Sequence, residues 1–404
     1  MFLPIGDAPN PPGTPVVNYA LIALNVAVFV IFTMPLASQG ADPADPLLRE
    51  YVQFLGERLG RPLSAGEVTA TVSAYDLVVY EYGFRPASPS IVALFSSMFL
   101  HGGVMHLAGN MLFLWIYGDN VEHRLGRVRY ALAYVGAGVA ATLFHSAFSM
   151  GSNTPMVGAS GAISGVLGFY FLLFPRNTVR VFVMLFPFFM NVIVVRARIV
   201  LGFYIIISNI LPFVLTSAGG GGVAHGAHIG GFLAGLAAAA LVDRRERVAT
   251  PREYRAAHTA ARPAAQPAAR QPSVAETLSS LVSTGRLSEA AQVYFGASER
   301  ASDSVNPRDV LVIGRWLSDN GHAKAALSAF RRVLRDHPTG PFAADAHLGA
   351  GLVQLKNLGR PTSAYQHFLD VIDVAPGGEA AGIAREGLEH IDGISRRGGQ
   401  QGAS

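Results

Sequence analysis

Ser160 sits in the stretch Pro155 to Gly168, which places a hydroxyl among glycines at the start of an apolar run with no Asp, Glu, Lys or Arg as far as Phe174. A second stretch, Ala224 to Gly235, supplies His225 and His228. Upstream, His106 and Asn110 are four apart and so share one helix face. A serine hydroxyl is a weak nucleophile until a base removes its proton, and a neutral imidazole is suited to that task near pH 7. Ser160 as nucleophile and His228 as base would need donors for the tetrahedral oxyanion, which the Ser160 N–H at a helix start, His106 and the Asn110 amide can supply. Each group also has a structural use. Glycines at three- and four-residue spacing pack helices, Asn110 can bond a neighbouring helix, His106 can satisfy a carbonyl, and His225 with His228 can form half a metal site. No acidic residue, cysteine or His-Glu-x-x-His pattern supports the metal use, so neither metal nor cofactor is expected. The glycine run Gly219 to Gly222 lacks the ending of a phosphate loop, and paired aspartates for an aspartyl protease are missing.

The elements that carry these groups are membrane spans. Of 404 residues, 50% are hydrophobic and 14% charged, with the apolar residues concentrated before position 243, so the chain reads as an integral membrane protein with a soluble tail. The absence of cysteine excludes thiol nucleophiles and disulfides. The net charge of +4 rests on arginines at membrane edges and in the tail, which signal topology and not nucleic-acid contacts.

Span one is expected over Val16 to Ala37, after an N-terminal tail of residues 1–15. Residues 38–95 form a long polar loop in which Leu47, Leu48, Tyr51, Leu55 and Leu59 repeat at helical spacing, predicting a helix that either lies in the interface or packs on the loop's own residues. Span two covers His101 to Gly118, span three Tyr130 to Met150 and span four Pro155 to Phe174, long enough for the ~20 residues a bilayer requires. Pro175 to Arg198 reads as a partly interfacial connection. Residues 199–242 carry no charge and suffice for spans five and six around the glycine run. Arginines follow spans two, four and six, which puts those ends in the cytoplasm. Ser160, His228, His106 and Asn110 then share one level near the outer face. The glycines at 158, 161, 165 and 168 demand a close helix neighbour.

At these residues the chain resembles the rhomboid family of intramembrane serine proteases, over about residues 16–243. The resemblance rests on Gly-Ala-Ser-Gly around Ser160, Ala-His-Ile-Gly-Gly around His228 and His-Leu-Ala-Gly-Asn from His106 to Asn110, in the expected order. It implies a six-span all-α membrane bundle, a Ser160–His228 dyad, oxyanion-side roles for His106 and Asn110, and a turn at Gly158 and Ala159 that lines the same hole. Val121 to Gly126 resembles the family's cytoplasmic loop. Two departures stand out. The first loop lacks the Trp-Arg pair of many members, so its contacts must differ, and Ser164 sits where some members carry an aromatic residue against the base.

The resemblance implies a cofactor-free endopeptidase of the cell membrane that cuts transmembrane segments of other proteins in the bilayer; the alternative is an inactive relative that holds membrane clients. Residues 244–274 read as a juxtamembrane segment and Ala/Pro/Arg-rich linker, and 395–404 as a disordered tail. Between them, over 275–394, Gly285, Gly321 and Gly359 recur at 36 and 38 residues, each with an Ala five on and an aromatic nine on. This pattern resembles tetratricopeptide helix pairs, the alternative being an unrelated small helical domain. Such a cytoplasmic domain could bind a protein partner.

Overall fold

The computed structural model describes residues 2–69, 71–185, 189–215, 223–258, 273–297 and 305–401. Apart from Pro9–Pro12, the chain divides into two compact units at Ala239/Ala240. Both are helical, as expected, with one small sheet in the first.

The first unit runs β1 (Phe2–Ala8), α1 (Val16–Ala37), α2 (Pro46–Leu59), α3 (Ala74–Tyr82), α4 (Ile91–Ser96), α5 (Val104–Leu125), α6 (Arg127–Ala147), α7 (Ser160–Leu173), β2 (Thr178–Leu185), β3 (Phe189–Arg196), α8 (Ala197–Leu215) and the part of α9 (His225–His258) up to Ala239. The six expected spans correspond to α1 and α5 to α9. Among the described residues, α1, α8 and the first part of α9 (His225–Arg244) are individually long and apolar enough to cross a membrane. Helix α7 is apolar but has 14 residues, about 21 Å at 1.5 Å per residue, short of the ~30 Å hydrocarbon core. The span therefore includes non-helical chain before Ser160, and the helix itself starts at the serine. The glycine run expected between spans five and six lies outside the described residues.

Small residues set how α7 meets its neighbours. A Cβ built on Gly231 would fall on the Gly161 carbonyl, and one on Gly235 on the Gly165 carbonyl, so α7 and α9 touch main chain to main chain. A Cβ on Gly165 would strike the Ala137 side chain of α6. This is the close neighbour that the glycine spacing demanded. At the other end of the bundle, the buried Glu122 of α5 accepts from the Val17 and Asn18 N–H groups at 3.1 and 2.7 Å, satisfying two donors that the first turn of α1 cannot use internally.

The first loop has its own core. Leu48, Val68, Val72 and Leu77 are buried with Leu47, Tyr51 and Leu55 against them, so α2 packs on the loop's own residues. Polar contacts also hold this loop. Arg85 donates to Glu50 at 2.9 Å and lies 4.0 Å above the Tyr80 ring, while the Tyr80 hydroxyl donates to the same carboxylate at 3.0 Å.

The stretch expected as an interfacial connection, and the segment expected as an N-terminal tail, instead form an antiparallel sheet in the order β1-β2-β3. The reason is a period of two. Val179, Val181 and Val183 are buried, while Arg180 between them is exposed, so the arginines that break an apolar run fit one face of a strand.

The second unit contains α10 (Val274–Ser283), α11 (Leu287–Gly296), α12 (Pro307–Asp319), α13 (Ala323–Asp336), α14 (Pro341–Leu352), α15 (Pro361–Val374) and α16 (Glu379–Gln401). Gly285, Gly321 and Gly359 have φ of +73°, +81° and +59°, the left-handed conformation that lets a chain reverse between helices. The alanines five on are fully buried, and Tyr294, Phe330 and Phe368 nearly so. Phe330 fills the space over Gly314 and Gly349, and Phe368 that over Gly351 and Gly387, so these two phenylalanines each rest on glycines of two flanking helices. Helix α9 extends to His258, through the first part of the 244–274 juxtamembrane segment and linker, and α16 extends to Gln401, within the 395–404 tail. Residues 259–272 of the linker lie outside the described residues.

Candidate active site

Ser160 is the first residue of α7, preceded by the buried Ala159, whose carbonyl accepts the Ile163 N–H at 2.9 Å. The amides of a helix's first turn have no acceptor within the helix, so the Ser160 N–H is available to a ligand. The approach to the serine is pinned from the side. Met156 exchanges two 2.9 Å backbone hydrogen bonds with Phe84, and Gly158 donates to the Ser97 carbonyl at 2.8 Å. Gly158 has φ +121°, and a Cβ there would lie 2.7 Å from His106 Nε2. Only glycine satisfies both conditions.

His228 lies in the first turn of α9, held beside α7 by the glycine contacts. Its Nε2 is 2.8 Å from Ser160 Oγ. Its Nδ1 is 2.6 Å from Oδ1 of Asn209, a buried residue of α8. The Asn209 Nδ2 is already committed, donating to the Tyr204 carbonyl at 2.9 Å, which leaves Oδ1 facing the imidazole as an acceptor. A neutral histidine placed so carries its proton on Nδ1 and presents a lone pair on Nε2 to the serine hydroxyl. Asn209 occupies a π turn, Ile206–Ile210, within α8. One extra residue per turn rotates the side chains that follow, a distortion that recurs at functional sites.

The place of the aromatic residue missing at Ser164 is taken from another helix. The Tyr204 ring of α8 lies 6.4 Å from the His228 ring, tilted by 34°, and its hydroxyl is 3.1 Å from Ser164 Oγ. Ser164 thus positions a tyrosine that flanks the base. His225 stands 6.5 Å from His228, ring to ring and at 89°.

Asn110 and His106 of α5 face the same point from the opposite side. The Asn110 Nδ2 is buried and makes no hydrogen bond within the described protein. A buried donor of this kind calls for an explanation. A Cβ on Gly158 would come within 3.7 Å of it, so the amide is aimed at the turn before Ser160. His106 Nδ1 accepts a long 3.4 Å bond from the Gly102 N–H, which leaves Nε2 as the donor on the Gly158 side. Beside Ser160 lies a cavity of about 30 Å³, walled by Ser97, Met98, Ala141, Thr142, Met156, Val157, Gly158 and Ala227. It holds one water or a methyl group.

All six residues expected at the site therefore converge, and Asn209 joins them. Sequence reasoning passed it over, although it is the one side-chain amide in the sequence run from 199 to 242, which has no Asp, Glu, Lys or Arg. The rule that polar groups in a bilayer are functional by default applied to it as much as to Asn110.

Residues 88–245 match the Rhomboid domain. Among similar proteins, Rhomboid protein 1, mitochondrial, of Saccharomyces cerevisiae is 27% identical over 173 residues, covering 42% of this chain and 40% of that protein. Rhomboid protease GluP of Bacillus subtilis is 36% identical over 149 residues, covering 36% and 25%. Putative rhomboid protease YdcA of the same bacterium is 32% identical over 108 residues, covering 26% and 50%. The chain thus spans at most half the length of these relatives, and the matched region takes in the helices that carry Asn110, Ser160, Asn209 and His228. The chain thus carries a Rhomboid domain over residues 88–245 and is similar there to rhomboid proteins.

Proposed function

We propose that this protein is an intramembrane serine endopeptidase that cleaves transmembrane segments of other proteins through Ser160 and His228. The observation that carries the reading is the 2.8 Å contact between Ser160 Oγ and His228 Nε2, with Asn209 behind the imidazole. Ser160 Oγ attacks the scissile carbonyl while His228 Nε2 takes its proton. The carbonyl oxygen becomes an oxyanion held by the Ser160 N–H and Asn110 Nδ2, with His106 Nε2–H on the same side. His228 then returns the proton to the leaving amine, and water hydrolyses the acyl-enzyme by the same route in reverse. A peptide bond inside a regular helix has its carbonyl hydrogen-bonded, so the substrate must unwind locally to be attacked. The small cavity beside Ser160 favours a small side chain at the cleaved residue.

The arginines after the even-numbered spans support a cell-membrane topology with the C-terminal unit in the cytoplasm. The left-handed glycines and the stacked aromatics of that unit support the tetratricopeptide reading, and such arrays present concave surfaces to protein partners. The test of the catalytic reading is cleavage of a panel of helix-destabilised transmembrane substrates in liposomes. Ser160→Ala, His228→Ala and the double variant should all be inactive to the same degree with thermal stability retained, because the dyad acts as a unit. Cleavage persisting in Ser160→Ala overturns the serine mechanism.

A further inference from the structure

In the C-terminal unit, far in sequence from the candidate active site, two imidazoles and a carboxylate meet between adjacent helices. His347 of α14 has its Nδ1 3.2 Å from His367 Nδ1 of α15 and 3.5 Å from Asp370 Oδ2. The ligand atoms of the three all lie within 4.8 Å of one another. His367 and Asp370 are three apart on α15 and so share the face that meets α14. We propose that His347, His367 and Asp370 bind a Zn²⁺ ion that fastens α14 to α15.

Geometry and donor chemistry carry the proposal. Zinc takes histidine nitrogen at about 2.0–2.1 Å and carboxylate oxygen at about 2.0–2.2 Å in a tetrahedron, whose edges are then about 3.3–3.5 Å. The two distances from His347 lie close to such edges, and the third separation is within 4.8 Å. Two imidazole nitrogens and one oxygen, with no thiolate available anywhere in the chain, are a donor set for a borderline ion and not for calcium or magnesium, which prefer oxygen throughout. The His347 and Asp370 side chains are 16% and 24% exposed, so the ion can enter from solvent and keep a water as fourth ligand. The neighbouring Phe368 is buried between Gly351 and Gly387, which fixes the backbone of α15 beside the ligands. A hydrogen-bonded His-His-Asp cluster is the other use of these groups. It needs Nδ1 of one imidazole to be protonated and the other not, whereas a metal requires both nitrogens free of protons and engages all three side chains at once.

The test uses the full chain in detergent, with any affinity tag removed and with metal stripped by a chelator. Titration with Co²⁺ should give the visible d–d bands of a tetrahedral site at one equivalent per chain, and Zn²⁺ should displace them. His347→Gln and Asp370→Asn should each abolish the bands while helical content stays at the wild-type level. His225→Gln, outside the cluster, should leave them unchanged. Absence of tetrahedral bands in the wild-type chain overturns the proposal, as does Co²⁺ binding that survives both cluster variants.

Discussion

Asn209→Ala removes the acceptor behind His228 and leaves the serine, the base and the oxyanion side in place. The Asn209 oxygen is 2.6 Å from Nδ1, and in the proposed mechanism it sets the tautomer and faces an imidazolium during attack. A hydrogen bond to a charged partner contributes about 1.5–3 kcal/mol. At about 1.4 kcal/mol per tenfold in rate, its loss should lower kcat about 10- to 150-fold. The effect should fall on kcat and leave KM unchanged, because Asn209 touches the base and not the substrate. Labelling of Ser160 by a fluorophosphonate should slow in parallel, since the probe reports activation of the hydroxyl without any peptide. Asn209→Asp keeps an acceptor at the same place and should lose less than Asn209→Ala. The reasoning fails if Asn209→Ala cleaves and labels at the wild-type rate, or if its defect lies wholly in KM.

Asn110→Ala should lower turnover by roughly ten- to a thousandfold, the range for losing one oxyanion donor, while fluorophosphonate labelling survives; loss of labelling would make Asn110 structural instead. Gly235→Ala places a methyl against the Gly165 carbonyl and should cost about 1–3 kcal/mol, read as a lower Tm, whereas Gly202→Ala meets nothing and should be silent. Equal effects from the two would refute the backbone contact. Asp7 accepts from Asn120 at 2.9 Å and from the Tyr170 hydroxyl at 2.5 Å. Burial, with the Asp119 charge adding to it, pushes its carboxyl well above the usual carboxylate range. An acid raised on folding contributes most below its unfolded value, about 3.9, and that contribution is lost as pH rises through the folded value. Asp7→Asn should therefore gain stability relative to wild type as pH rises above 4, in thermal melts across pH; an offset independent of pH would refute it.

The pairing of Ser160 with His228, the placement of His106 and Asn110 near Gly158 and the demand for a close helix beside Ser160 were legible because each depends on residue type and local spacing. Two glycine periods in one stretch and a histidine among glycines in another leave little choice of partner. The sheet was not legible in the same way. Arg180 looked like an interruption of an apolar interfacial run because the window that finds spans averages over the alternation that marks a strand. Asn209 depends on a π turn, and a single extra residue in one turn changes which face a side chain occupies without leaving a mark on composition. The tyrosine beside the base came from α8 and not from the position four after the serine, a substitution of one helix for another that only the packing reveals.

The contact between α7 and α9 also constrains the direction in which this site can vary. Main-chain atoms of Gly161 and Gly165 already meet Gly231 and Gly235, so no smaller side chain exists to bring the helices nearer. Every substitution there pushes outward, and the separation of the hydroxyl from the imidazole stands at a lower bound that mutation can raise and cannot reduce. Gains in rate along a lineage would have to come from elsewhere, from donors, from the amide behind the base or from the way a client is unwound, while losses can begin at four glycines that never touch the reaction.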